Sequence, residues 1–320
     1  MDHDTVACEI LRALRGRRSQ VAFSRRLGYR SNVAHTWESG RRFPTGAVTF
    51  AAAERLGVPL ARGLARFSRT LEGPPTTPAA VTALLRDLRR DLPVAEIAER
   101  AGRSRFQVSR WLSGRAEPRL PDLLRLVDAT TGRLLDFVDV LVDPAALPSL
   151  AEGWARLQAA RSLFWRYPHA QLVLLGLELA PYRALPAHDD AWLAARLDLP
   201  LYDVVSALER LAATGQIERD GAHWVPAAVH TVDTRRNPQA GCELKRWWAG
   251  AALQRLDADG AGVSSNAFTV REPVLAQSVE LHRSTCRAMR ALLAEAPGGD
   301  RLVLVQHHIL PLDHVDSLVD

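Results

Sequence analysis

Trp37-Glu38-Ser39-Gly40-Arg41-Arg42-Phe43-Pro44 returns 74 residues later as Trp111-Leu112-Ser113-Gly114-Arg115-Ala116-Glu117-Pro118. The same ungapped shift places Leu11, Arg12, Leu14 and Arg15 on Leu85, Arg86, Leu88 and Arg89, and Arg26 and Gly28 on Arg100 and Gly102. Apolar class is kept where identity is not, with Phe23 on Ile97 and Ala34 on Val108. Eleven ungapped identities that include a tryptophan pair are not a chance alignment, so the chain carries two copies of one unit.

Each copy reads as a helix, a second helix, a tight turn and a third helix. In the first copy an apolar stripe begins at 10–15. Ser19 can cap a short helix over 20–27, which Gly28 ends in the left-handed conformation. A further short helix covers 31–39, with Ala34 and Trp37 on its buried face and Gly40 as its stop. Trp37 and Trp111 lie in the helical phase of a core, so both are read as packing residues. Two short helices joined by a turn with Gly make a helix-turn-helix, whose second helix fits a major groove.

Ser19-Gln20, Leu27-Gly28, Ser31 and Trp37-Glu38-Ser39-Gly40 followed by Pro44 resemble the lambda-repressor-like (XRE-type) DNA-binding domain. Ile97-Ala98, Ala101-Gly102, Ser104, Val108, Trp111 and Ser113-Gly114 followed by Pro118 are similar but degenerate, with Val94 in place of Gln20 and Leu112 in place of Glu38. The resemblance covers about 8–62 and 82–135. It implies base-edge contacts from Ser31, Asn32, His35 and Thr36 in the first copy, and from Arg105, Gln107, Ser109 and Arg110 in the second, with Phe106 on the same face. Asn pairs bidentately with adenine, Arg with guanine O6 and N7, and Phe meets a thymine methyl. Ser19, Gln20, Arg41, Arg42, Arg103 and Arg115 are implied as phosphate contacts, which set register without reading sequence.

Charge agrees with that placement. Residues 1–142 hold 24 Arg and 15 Asp or Glu, a balance of +9, whereas 143–320 hold 17 Lys or Arg and 21 acids, −4. The basic surface therefore lies in the first half. A chain of 320 residues with 47% apolar and 24% charged residues has material for two or three domains and is not a disordered sequence. No window approaches a membrane span, and the opening Met1–Ile10 stretch lacks the pattern of an export signal. Three distant cysteines, Cys8, Cys242 and Cys286, make neither a disulfide framework nor a zinc knuckle, so a reduced cytoplasmic protein is expected.

The Gly73-Pro74-Pro75-Thr76-Thr77-Pro78 break reads as a linker. Four segments are expected: helix-turn-helix units at 1–72 and 79–142, a helical and winged-helix-like module at 150–228, and an α+β domain at 238–320. In the third, helices at 191–197 and 201–214 precede strands at 216–219 and 223–225 joined through Asp220-Gly221. Seven acids against three arginines between Asp189 and Asp220, with Asp203 at the front of the second helix, argue against DNA contact there and for a scaffold or dimerisation role. Beyond it, helices at 241–256 and 272–295 alternate with strands at 266–270 and 302–309. The order of these elements and the tail Val305-Gln306-His307-His308-Ile309-Leu310-Pro311-Leu312 are similar to an uncharacterised carboxyl-terminal domain of bacterial regulators.

The fold class expected is mainly α. Adjacent strand residues point to opposite faces, so His307 and His308 do not share an ion. No catalytic motif, metal site or cofactor loop is found. The sequence thus points to a sequence-specific DNA-binding transcriptional regulator, a homodimeric repressor on double-stranded DNA. The alternative is a protein-interaction regulator, antitoxin-like or a sigma-factor adaptor, in which one unit holds a protein partner. An effector ligand is left open.

Overall fold

The computed structural model describes residues 2–65, 67, 73–90, 92–227, 238–257, 267–294, 299–306 and 308–310. These are mainly helical, with one two-stranded sheet, and they fall into two compact units, 1–158 and 159–320. No described helix is long and apolar enough to cross a membrane.

The first unit contains α1 (His3–Arg15), α2 (Gln20–Arg26), α3 (Val33–Glu38), α4 (Gly46–Arg55) and α5 (Leu60–Leu64), then α6 (Pro78–Arg89), α7 (Val94–Arg100), α8 (Arg105–Ser113), α9 (Leu120–Thr131) and α10 (Leu134–Leu141). A shift of 74 residues carries α1–α5 onto α6–α10 element by element. The ends follow local chemistry. Asp2, Ser19, Thr45, Thr77 and Ser104 accept hydrogen bonds from first-turn amides of α1, α2, α4, α6 and α8. Gly16 ends α1 at φ +60°, and at the equivalent place Arg90 takes φ +52°, where a Cβ-bearing residue is strained by about 1–3 kcal/mol.

One continuous hydrophobic core runs through both repeats, from Val6, Ile10, Phe23 and Phe50 to Leu84, Val108, Leu123 and Phe137. The 73–78 break separates the repeats along the chain but not two cores. Helix α1 packs on α9 and α6 on α4, while α4 meets α9 and α5 meets α10. Phe137 sets its ring edge-to-face against Phe50 and Phe67, at centroid distances of 6.2 and 5.6 Å. Gly63 lets α5 and α10 approach, because a Cβ there would stand 2.6 Å from Val140 Cγ1. Between the repeats Thr45 and Arg119 form an antiparallel bridge, flanked by Gly46 N–H to Pro118 O (3.0 Å) and Leu120 N–H to Pro44 O (2.9 Å). Glu117 Oε1 accepts from the Ala47 amide at 2.6 Å, closing the first turn of α4 from the other repeat.

After α11 (Ala151–Arg166), which enters the second unit, come α12 (Pro168–Gly176), α13 (Ala180–Arg183), α14 (Asp190–Leu197) and α15 (Leu201–Ala213), then β1 (Ile217–Asp220) and β2 (His223–Pro226). The strands pair antiparallel in the register Ile217 with Pro226 and Asp220 with His223. The helix pair followed by a hairpin thus lies where the sequence places it. A half-buried relay ties the parts: the Trp224 amide donates to Tyr182 Oη (3.1 Å), which meets His188 Nδ1 (2.9 Å), while His188 Nε2 meets Asp190 Oδ1 (2.7 Å). Burial pushes the Tyr182 hydroxyl above its ordinary value.

Burial also holds His169, at the start of α12, below its ordinary 6.5, against the opposite pull of Asp203 and with the help of Arg210. The folded state then binds a proton less readily than the unfolded chain, so its contribution is complete above about pH 6.5 and is lost as pH falls below that. Thermal unfolding of the full chain at pH 7.5 and pH 5.5 should show an acid-side loss that is smaller in His169→Gln; an unchanged loss would place its origin elsewhere.

The last helices are α16 (Pro238–Leu253) and α17 (Glu272–Ala294). The expected strands at 266–270 and 302–309 are not formed in their described parts, 267–270 and 302–306 with 308–309, which carry no ladder pairing. Residue 266 and His307 lie outside the described residues. A strand needs a neighbour for its backbone groups, and an apolar run marks the capacity to pair without supplying that neighbour; Val303 stays 65% exposed.

Candidate nucleic-acid interface

Each repeat presents a short helix pair, α2 with α3 and α7 with α8. The inner face of the second helix is fixed by the core: Ala34 and Trp37 in α3, Val108, Trp111 and Leu112 in α8. Trp37 packs edge-to-face on Tyr29 at 5.6 Å. Fixing that face turns the intervening residues outward. Ser31, Asn32 and His35 are exposed and Thr36 half-buried in the first repeat; Arg105, Phe106, Gln107, Ser109 and Arg110 are exposed in the second. Phe106 is 71% exposed, with the Arg110 guanidinium 5.6 Å from its ring centroid.

Several predicted contacts have structural work of their own. Asn32 is the N-cap of α3, its Oδ1 accepting from the His35 amide and from Ser24 Oγ, each at 3.4 Å. Thr36 Oγ1 donates to Val33 O at 2.8 Å. Ser19 Oγ accepts from the Ala22 amide. Gln107 closes a capping box with Ser104, leaving its amide nitrogen for a ligand. Gln20, expected on phosphate, instead donates from Nε2 to Glu38 Oε2 at 2.9 Å. Arg103, also expected there, is paired from Nε with Asp122 Oδ1 at 2.8 Å. Long polar side chains reach partners that sequence spacing does not disclose.

Arg41, Arg42, Arg105 and Arg115 are exposed and have no acidic partner among the described residues. The same holds for Arg17, Arg25, Arg26 and Arg30, which spacing alone did not single out. Their signal was the charge excess of the first half. Unpaired guanidinium groups around two short outward helices form a surface that attracts polyanions and can fork onto phosphate or guanine. Among the described residues no cluster of three His, Cys, Asp or Glu could hold a metal. Cys8 is buried, its thiol pushed up by burial and its Sγ donating to Trp37 O.

Residues 80–132 match the family described as a helix-turn-helix domain, a span from within α6 to the end of α9. The second repeat is thus a helix-turn-helix domain, although its motif is the more degenerate of the two. No curated protein and no solved structure matches the chain.

Proposed function

We propose that the chain is a sequence-specific regulator of transcription that binds double-stranded DNA in the cytoplasm through two lambda-repressor-like helix-turn-helix repeats and acts as a repressor. The observation that carries this reading is the pair of outward helix fronts on α3 and α8, flanked by exposed, unpaired arginines, in a chain whose residues 80–132 are a helix-turn-helix domain. The acidic second unit, with its winged-helix-like hairpin, serves as scaffold and as the surface through which whole chains pair. The chain is not an enzyme in this reading.

Phosphate and base contacts separate by salt and by sequence. Titrating the full chain with a random 25-base-pair duplex should give an affinity that falls steeply with salt. Arg41→Ala should weaken binding on every sequence and flatten the salt slope by about one unit. Asn32→Ser keeps a capping oxygen, so it should leave the melting temperature and random-duplex binding unchanged. It should cost about 1–3 kcal/mol on the preferred sequence, through lost adenine pairing. An equal loss on random and preferred duplexes would make Asn32 a cap and nothing more.

A second reading has one observation in its favour: the exposed Phe106 is as suited to a protein surface as to a thymine methyl. Phe106→Ala would then leave the DNA footprint of the full chain unchanged.

A further inference from the structure

The contacts between the repeats obey a two-fold rule. In an antiparallel pair, opposed residues are related by a local two-fold axis. Here the opposed residues, Thr45 and Arg119, are also 74 apart and therefore equivalent in the repeat. The hydrogen bonds on either side exchange in the same way: Gly46 to Pro118 and Leu120 to Pro44 are one bond seen from the two repeats. The larger contacts follow. Helix α4 meets its own counterpart α9, α5 meets its counterpart α10, and α1 on α9 is answered by α6 on α4. A self-complementary set of contacts of this kind is what joins the subunits of a two-fold dimer. One chain therefore contains the arrangement that two chains would otherwise assemble, and α3 and α8 are exchanged by its axis.

The outward chemistry does not repeat. Under the 74-residue shift Ser31, Asn32, His35 and Thr36 correspond to Arg105, Phe106, Ser109 and Arg110, so no outward position keeps its residue. The α8 front carries two guanidinium groups and an exposed phenyl ring; the α3 front carries neither a guanidinium nor a phenyl. Identical heads about a two-fold axis read a palindrome, and unlike heads about the same axis read unlike half-sites.

Resting on the DNA-binding reading above, we propose that a single chain is a complete two-headed reader of a non-palindromic duplex: α8 takes a guanine-bearing half-site through Arg105 and Arg110, and α3 takes a different half-site about one helical turn away. Pairing of chains, where it occurs, joins two such readers and does not complete one.

The test is selection of the full chain on a pool of random 30-base-pair duplexes, followed by stoichiometric titration of the enriched duplex. The expected motif has two unlike halves about 10 base pairs apart, bound at one chain per duplex. Arg105→Ala/Arg110→Ala should weaken that duplex by about 30-fold and erase the guanine preference in one half while the other half stays enriched. Far-ultraviolet circular dichroism of this variant should match the parent, since both side chains are exposed. A palindromic motif holding two chains per duplex, a single half-site per chain, or loss of preference in both halves together would overturn the proposal while leaving the DNA-binding reading intact. Failure to enrich any duplex would overturn both.

Discussion

Phe137→Ala should destabilise the 1–158 unit by about 3–5 kcal/mol, and the loss should appear in both repeats at once. The ring is fully buried in α10 and touches Phe50 of α4 and Phe67 edge-to-face. Its removal leaves a cavity between elements of different repeats, and the flanking rings cannot collapse into it without moving α4 or α10. Native-state hydrogen exchange on the full chain reads the outcome helix by helix. Protection should fall together in α1–α5 and α6–α10. A loss confined to α6–α10 would mean that the repeats fold independently despite their shared core.

Glu38→Ala should cost about 2–3 kcal/mol, close to the worth of charge-assisted hydrogen bonds lost together. The carboxylate is nearly buried, receiving Arg15 Nε at 2.6 Å, Arg15 Nη2 at 3.2 Å and Gln20 Nε2 at 2.9 Å. Arg15 is 23% exposed, so water reaches the guanidinium that loses the carboxylate and keeps the loss below that of a sealed ion pair. The second repeat supplies its own control, because Val94 and Leu112 occupy the positions of Gln20 and Glu38. Arg15 would not be stranded by that exchange: its Nη1 also donates to Arg18 O, as Arg89 Nε donates to Leu92 O. Gln20→Val/Glu38→Leu should therefore recover most of the stability that Glu38→Ala loses, measured by urea unfolding. A double variant no more stable than Glu38→Ala would show that the two repeats do not tolerate each other's solution.

The sequence made the repeat and several of its helix ends legible, because those depend on local marks: the tryptophan pair in helical phase, the glycines at 28, 40, 102 and 114, and Ser19 as a cap. It did not disclose the single core. Apolar periodicity says which face of α4 or α10 is buried but not what covers it, and the proline-rich break at 73–78 suggested a division that Phe50, Phe67 and Phe137 span. Gly63 reads as a weak helix residue until Val140 is seen beside it. Of the site, the outward helix fronts followed from the buried ones, whereas the internal partners of Gln20 and Arg103 lie 18 and 19 residues away and leave no mark in spacing. The terminal strands failed for the same reason as the core: pairing is a property of two segments.

On the two-headed reading proposed above, the shared core also sets how occupancy depends on copy number. Reading heads held on separate subunits must first meet, so at low abundance their joint occupancy falls with the square of concentration. Heads joined through Phe137, Gly63 and the bridge at Thr45 cannot part on dilution. The second head engages at a fixed effective concentration, and binding should rise linearly with the number of chains per cell, from the first molecule made.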